Sequence, residues 1–117
     1  MENKFVENIY PEKVGKAVDA LLTRPATLDP ALRQAIESYA AQQSGGERET
    51  YDLPKNLLGY VNKVIYYAYK ITDEDVQKLK EAGYSEDNIF EITLCASVGA
   101  SFARFERGMQ ALKAQPA

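Results

Sequence analysis

The chain has 117 residues, 45% of them apolar and 26% charged, which is the size and balance of one globular domain with a single core over residues 1–117. Fourteen basic against 17 acidic residues leave a net charge of −3, which argues against a nucleic acid or an anionic membrane as partner. The absence of histidine removes every mechanism that needs imidazole as base, zinc ligand or haem ligand, and a single cysteine, Cys95, cannot form an internal disulfide. The longest uncharged run, Ile92 to Ala103, falls well short of the roughly 20 residues of a membrane-spanning helix. Met1 to Phe5 carry neither the basic cap nor the apolar run of a secretory leader, so the expected location is the cytoplasm.

Proline, glycine and capping residues divide the chain into about five helices, and no stretch shows sustained period-two alternation, so the expected class is all-α. The first helix starts near Pro11, carries Val14, Val18, Leu21 and Leu22 on one face, and ends at Pro25. Asp29-Pro30 restarts the chain as an N-cap followed by a first-turn proline, and Leu32, Ala35, Ile36 and Tyr39 form the next stripe. Residues 44–50 are polar with two consecutive glycines, and read as a loop separating two halves. A third helix is expected from about Pro54 to Lys70 on the repeat of Leu57, Val61, Val64, Ile65 and Ala68, with a strand as the alternative because β-branched and tyrosine residues are frequent. Thr72 caps a fourth helix whose first turn holds Asp73, Glu74 and Asp75 and whose inner face holds Val76 and Leu79. Gly83 closes it in the left-handed conformation and Ser85 caps the last helix, which runs to about Lys113.

The middle of that last helix is apolar or small on nearly every face, from Ile92 through Ala103. Such a helix needs cover on all sides, which points to a homo-oligomer formed through residues 85–113. The pairs Ala96 and Ala100, Ser97 and Ser101, and Gly99 and Ala103 would let two backbones approach closely, either between subunits or within one chain.

Cys95, between Leu94 and Ala96, is the single candidate for thiol chemistry, although an apolar setting suits a small hydrophobe better than a thiolate. Glu91 interrupts an apolar stretch one turn before Cys95, where burial would raise its pKa and suit it to general acid or base work. Arg104 and Arg107 are candidate anion anchors, and the phenols of Tyr66 and Tyr67, about 100° apart on a helix, cannot share a face, so at least one lines an interface or cleft. Lys55, Lys63 and Lys70 are too few for a nucleic-acid stripe. No phosphate loop, metal-spaced cluster or nucleophile elbow is present, and no cofactor is implied.

Residues 53–112, with Ala68-Tyr69-Lys70-Ile71-Thr72-Asp73-Glu74-Asp75-Val76, Leu79, Ala82 to Glu91, and Arg104 to Gly108, resemble the carboxymuconolactone decarboxylase and alkylhydroperoxidase D-like superfamily. The resemblance covers about half the chain. It implies an oligomeric alkylhydroperoxidase D-like helical bundle, in a superfamily that includes lactone decarboxylases and thiol-dependent peroxidases. The peroxidase branch uses a Cys-x-x-Cys pair with a nearby histidine, and this chain has neither. The expected function is therefore an oligomeric small-molecule-binding or accessory protein without the dithiol site, with Tyr66, Tyr67 and Arg104 toward a small organic ligand. The alternatives are a cofactor-free lactone decarboxylase or isomerase using Glu91, and a thiol peroxidase-like antioxidant using Cys95.

Overall fold

The computed structural model describes Lys16 and residues 19–22, 26–49 and 51–115, and it is all-helical, with no strand among the described residues. Among the described residues, the α-helices with both ends defined are, in order, α1 (Pro30–Gln43), α2 (Lys55–Tyr66), α3 (Asp73–Glu81) and α4 (Glu86–Ala114), with a short 3₁₀ turn, Ala68–Lys70, between α2 and α3. Most of the helix expected from Pro11 lies outside the described residues. Its Leu21 and Leu22 are helical and pack on the core.

The local start and stop signals act as their chemistry dictates. The Asp29 carboxylate accepts the Ala31 N–H at 3.0 Å with Pro30 in the first turn of α1. Thr72 and Asp75 form a reciprocal capping box at α3, as Ser85 and Asn88 do at α4, so two orphan amides of each helix are satisfied. Gly83, at φ 103°, ends α3, and the Tyr84 N–H reaches back to the Leu79 carbonyl at 3.1 Å. One expected boundary moves: the third helix stops at Tyr66 instead of Lys70, because Tyr67 turns to φ −142°, ψ 45°. Arg104 Nη2 donates to the Ile65 carbonyl at 2.6 Å, taking an acceptor that the helix end leaves open. Strand, the alternative for this segment, is not adopted.

Cross-helix bonds fix the relative directions. Tyr39 Oη donates to Asn62 Oδ1 at 2.6 Å and Tyr66 Oη to Gln43 Oε1 at 2.9 Å, so α1 and α2 run the same way. The Tyr60–Thr93 hydroxyl pair at 2.7 Å and the Arg104–Ile65 bond add α4 to that direction. Residues 44–49 and 51–54 lie between α1 and α2 in the chain, and α3 runs antiparallel to α2, joined by Lys63–Asp75 at one end and Tyr84–Asn56 at the other. Leu28, Ile36, Ala40, Leu57, Val61, Ile65, Leu79, Ile92, Cys95 and Ala96 share one buried core, so the segments on both sides of the loop belong to the same packing unit. Ile36, Leu57, Val61 and Ile92 are fully buried, each removing apolar area worth about 2 kcal/mol.

The tightest contact is between α1 and α4. A Cβ on Gly99 would stand 2.2 Å from the Glu37 carbonyl oxygen and 3.2 Å from Ala40 Cβ. Ala96, Ala100 and Ala103 lie on the same buried stripe of α4, so these small residues serve packing inside the chain. From Glu91 to Ala100 no residue of α4 is exposed. The cover that pointed to a partner subunit is thus largely supplied by the chain itself, while Ser97 is half-buried and Ser101 faces outward.

Gly99→Ala is expected to cost about 3 kcal/mol, since the new methyl meets main chain that cannot move aside. Gly59→Ala, in α2 with nothing within 4 Å, is expected to gain up to about 1 kcal/mol. Urea unfolding of the two variants checks both, and equal stabilities would contradict the close approach.

Asp75 supplies a pH signature. Hydrogen bonding from Lys63, then from the Thr72 amide, holds its carboxyl at about 2 against an ordinary 3.8. The folded value lies below the unfolded one, so the stabilisation is complete above about pH 5 and disappears as pH falls from 3.8 toward 2. The stability difference between wild type and Asp75→Asn, measured by urea unfolding, should be constant from pH 7 to 5 and close by pH 2.

Candidate functional site

Five of the residues singled out by sequence fall into two separate groups. Glu91 and Cys95 lie one turn apart on α4 beside α1, whereas Tyr66, Tyr67 and Arg104 mark the C-terminal end of α2.

Cys95 is fully buried in the core. Burial pushes its thiol up to about 11; the Arg33 cation pulls the other way, and the Glu91 and Glu37 carboxylates add to the rise. A neutral thiol sealed among Ile92, Ala96 and their neighbours has the properties of a small apolar side chain.

Glu91 is half-buried, and its shift is the reverse of the one expected from sequence. Burial acts to raise its pKa, but hydrogen bonds from the Thr27 hydroxyl and from the Leu28 and Thr27 amides, with the Arg33 charge, outweigh it and leave the carboxyl below its ordinary value. Glu91 Oε1 accepts the Leu28 N–H at 3.1 Å, and Oε2 accepts the Thr27 N–H at 3.2 Å as well as the Thr27 hydroxyl. Asn88 Nδ2 also donates to that hydroxyl, at 2.9 Å. The carboxylate thus ties residues 27–28, just before α1, to the first turns of α4, with both of its oxygens accepting from that segment.

Arg104 caps α2 through the Ile65 carbonyl, so one arm of the expected anion anchor is already engaged. The Arg107 stem packs against Gly45. Tyr66 and Tyr67 are both about half exposed and Tyr69 is 79% exposed. The Tyr66 and Tyr67 ring centres are 6.3 Å apart, and Tyr67 and Tyr69 meet edge to face at 6.5 Å. The tyrosines therefore gather on the surface around the 3₁₀ turn, away from Cys95.

Sequence reading missed a set of charged groups at the α1–α4 seam. Arg33, Glu37 and Glu106 are nearly inaccessible, at 2%, 6% and 5% exposure. Arg33 donates to the Leu28 carbonyl at 3.2 Å and to the Leu21 carbonyl, fastening the segment before α1. Arg48, from the loop, donates from Nε to Glu37 Oε1 at 3.2 Å and lies 3.5 Å from Glu106 Oε1, an oxygen that makes no hydrogen bond. Gly46 sits so close that a Cβ there would be 2.9 Å from Ala103 Cβ. The stretch read as a polar linker is therefore strapped across the seam. The signal was in the spacing: Arg33, Ile36, Glu37, Ala40 and Ala41 form one helical stripe, as do Gly99, Ala103 and Glu106.

Above Arg48 an open cleft of about 500 Å³ is lined by Ser38, Glu47, Arg48, Glu49 and Tyr51, none of them a residue singled out beforehand. Among the described residues, no group of three or more His, Cys, Asp or Glu could hold a metal ion, and no helix is long and apolar enough to cross a membrane. No protein-family model, no curated protein and no solved structure matches the chain.

Arg48→Met strands two buried carboxylates and is expected to cost about 3 kcal/mol. Adding Glu106→Gln should return part of that loss, because it removes one of the uncompensated charges. Urea midpoints of the single and double variants check this; a near-neutral Arg48→Met would show that the loop is not held by its arginine.

Proposed function

We propose that the chain is a carboxymuconolactone decarboxylase-like helical protein without the dithiol peroxidase site, serving as an oligomeric small-molecule-binding or accessory protein in the cytoplasm. The observation that carries this reading is the state of Cys95, fully buried with its thiol raised to about 11. Against an ordinary 9.0, the thiolate fraction at neutral pH falls about a hundredfold, and the side chain is buried away from solvent. The sequence holds no second thiol to resolve an oxidised one.

The resemblance that suggests the superfamily centres on residues 72–91, and the two capping boxes and the Gly83 turn there are consistent with a shared helical hairpin. The lowered pKa of Glu91 and its three donors favour binding or accessory roles over general acid catalysis at that carboxylate. Self-association through α4 is part of the proposal. Because the small-residue stripe is spent on α1, the contact would use the side carrying Phe90, Ser97 and Ser101, of which Phe90 is 66% exposed.

With hydrogen peroxide or an organic hydroperoxide and a dithiol reductant, consumption should proceed at the uncatalysed rate and be identical in Cys95→Ala. Turnover that vanishes in that variant would overturn the reading.

A further inference from the structure

The surface around the 3₁₀ turn holds a cation between aromatic rings. Lys70 Nζ lies 5.1 Å from the centre of the Tyr67 ring and 5.8 Å from that of Tyr69. The two rings stand at 72° to each other with centres 6.5 Å apart, and Tyr66 flanks Tyr67 at 6.3 Å. A single cation on one ring is an ordinary surface contact, expected about once in a chain of this length. One ammonium shared by two rings set nearly at right angles is a corner, the geometry in which aromatic faces hold a cation from two sides. The three tyrosines are 46%, 50% and 79% exposed, so their apolar faces are not consumed by the core.

Charge around the corner fits the same occupant. Lys63, the nearest other base on α2, is neutralised by Asp75 at 2.8 Å. Asp73 and Glu74, exposed in the first turn of α3, follow Lys70 within four residues. Without its own lysine the corner would lose the cation that now occupies its two rings, which leaves their faces open to an external one, while Arg104 at the end of α2 is held by the Ile65 carbonyl. An ammonium with hydrogen-bonding protons keeps much of its hydration at such a site, whereas a quaternary ammonium is weakly hydrated and covers the rings with its methyl groups.

We infer that Tyr67 and Tyr69, flanked by Tyr66, form a binding corner for a small soluble quaternary ammonium compound, with Lys70 as the internal occupant that such a ligand displaces. The assignment rests on the small-molecule-binding reading above and names its ligand class; it moves the site from Arg104 to Tyr69 and Lys70. The lysine acts as a built-in competitor, so its removal strengthens binding instead of abolishing it. A merely structural aromatic patch would not behave in that way.

The test is an NMR titration of the Tyr67 and Tyr69 ring signals with choline, and with 3,3-dimethylbutan-1-ol, its neutral carbon isostere. Choline should shift both rings saturably in the wild type, bind Lys70→Met about threefold or more tighter, and bind Lys70→Met/Tyr69→Leu about two- to fivefold more weakly than Lys70→Met. The neutral isostere should give no saturable shift. Equal response to the alcohol, weaker choline binding in Lys70→Met, or no saturation in that variant would each overturn the proposal. Tyr69 is largely exposed, so the double variant should keep its fold, which its circular dichroism verifies. Failure of choline with Cys95 still inert in the peroxide assay rejects this ligand class alone, whereas Cys95-dependent turnover rejects the accessory-protein reading itself.

Discussion

Gly99 against the Glu37 carbonyl is the contact on which the rest of the molecule depends. With no side chain at that point, α1 and α4 come together at backbone distance, and their neighbours along the seam must be small: Ala40 and Ala41 on one helix, Ala96, Ala100 and Ala103 on the other. Cys95, one turn before Gly99, is sealed by the same approach. Close packing also takes charged residues on that face out of water, and each buried charge then needs a partner. Arg33 finds main-chain carbonyls, and Glu37 and Glu106 find Arg48.

Those electrostatic commitments decide what chemistry the buried region can support. Glu91 has the position of a catalytic carboxylate but spends its oxygens on Thr27 and Leu28, which joins the segment before α1 to the start of α4. Cys95 has the identity of a redox residue but lies where a thiolate is strongly disfavoured. Among the described residues, interior polar groups hold elements in register, and exposed side chains gather around the turn that follows α2 and in the open cleft beside Arg48.

What could be read from sequence follows from the range of the forces involved. Caps at Asp29, Thr72 and Ser85 and the left-handed Gly83 depend on residues within a turn of one another, so their composition states their structure. The stop at Tyr66 is capped by Arg104, 39 positions from the carbonyl it takes, and no local pattern announces that contact. The same holds for the loop at 44–49, whose glycine and arginine look like linker composition until α4 supplies the surface they fit. The small-residue stripe was visible, but its partner was not, since close approach within a chain and between chains require the same spacing. Of the candidate site, the tyrosine cluster was legible as excess composition; its pairing with Lys70 depended on the break in α2 that turns those rings together.

The central claim is that the α1–α4 seam closes over Cys95 and opens only when the whole bundle unfolds. It is tested most directly by the rate of native-state alkylation of Cys95 as a function of urea. The account predicts negligible modification without urea and an opening free energy equal to that of global unfolding, with the same dependence on urea. Rapid modification in the absence of urea, at the rate of an exposed thiol, would contradict it.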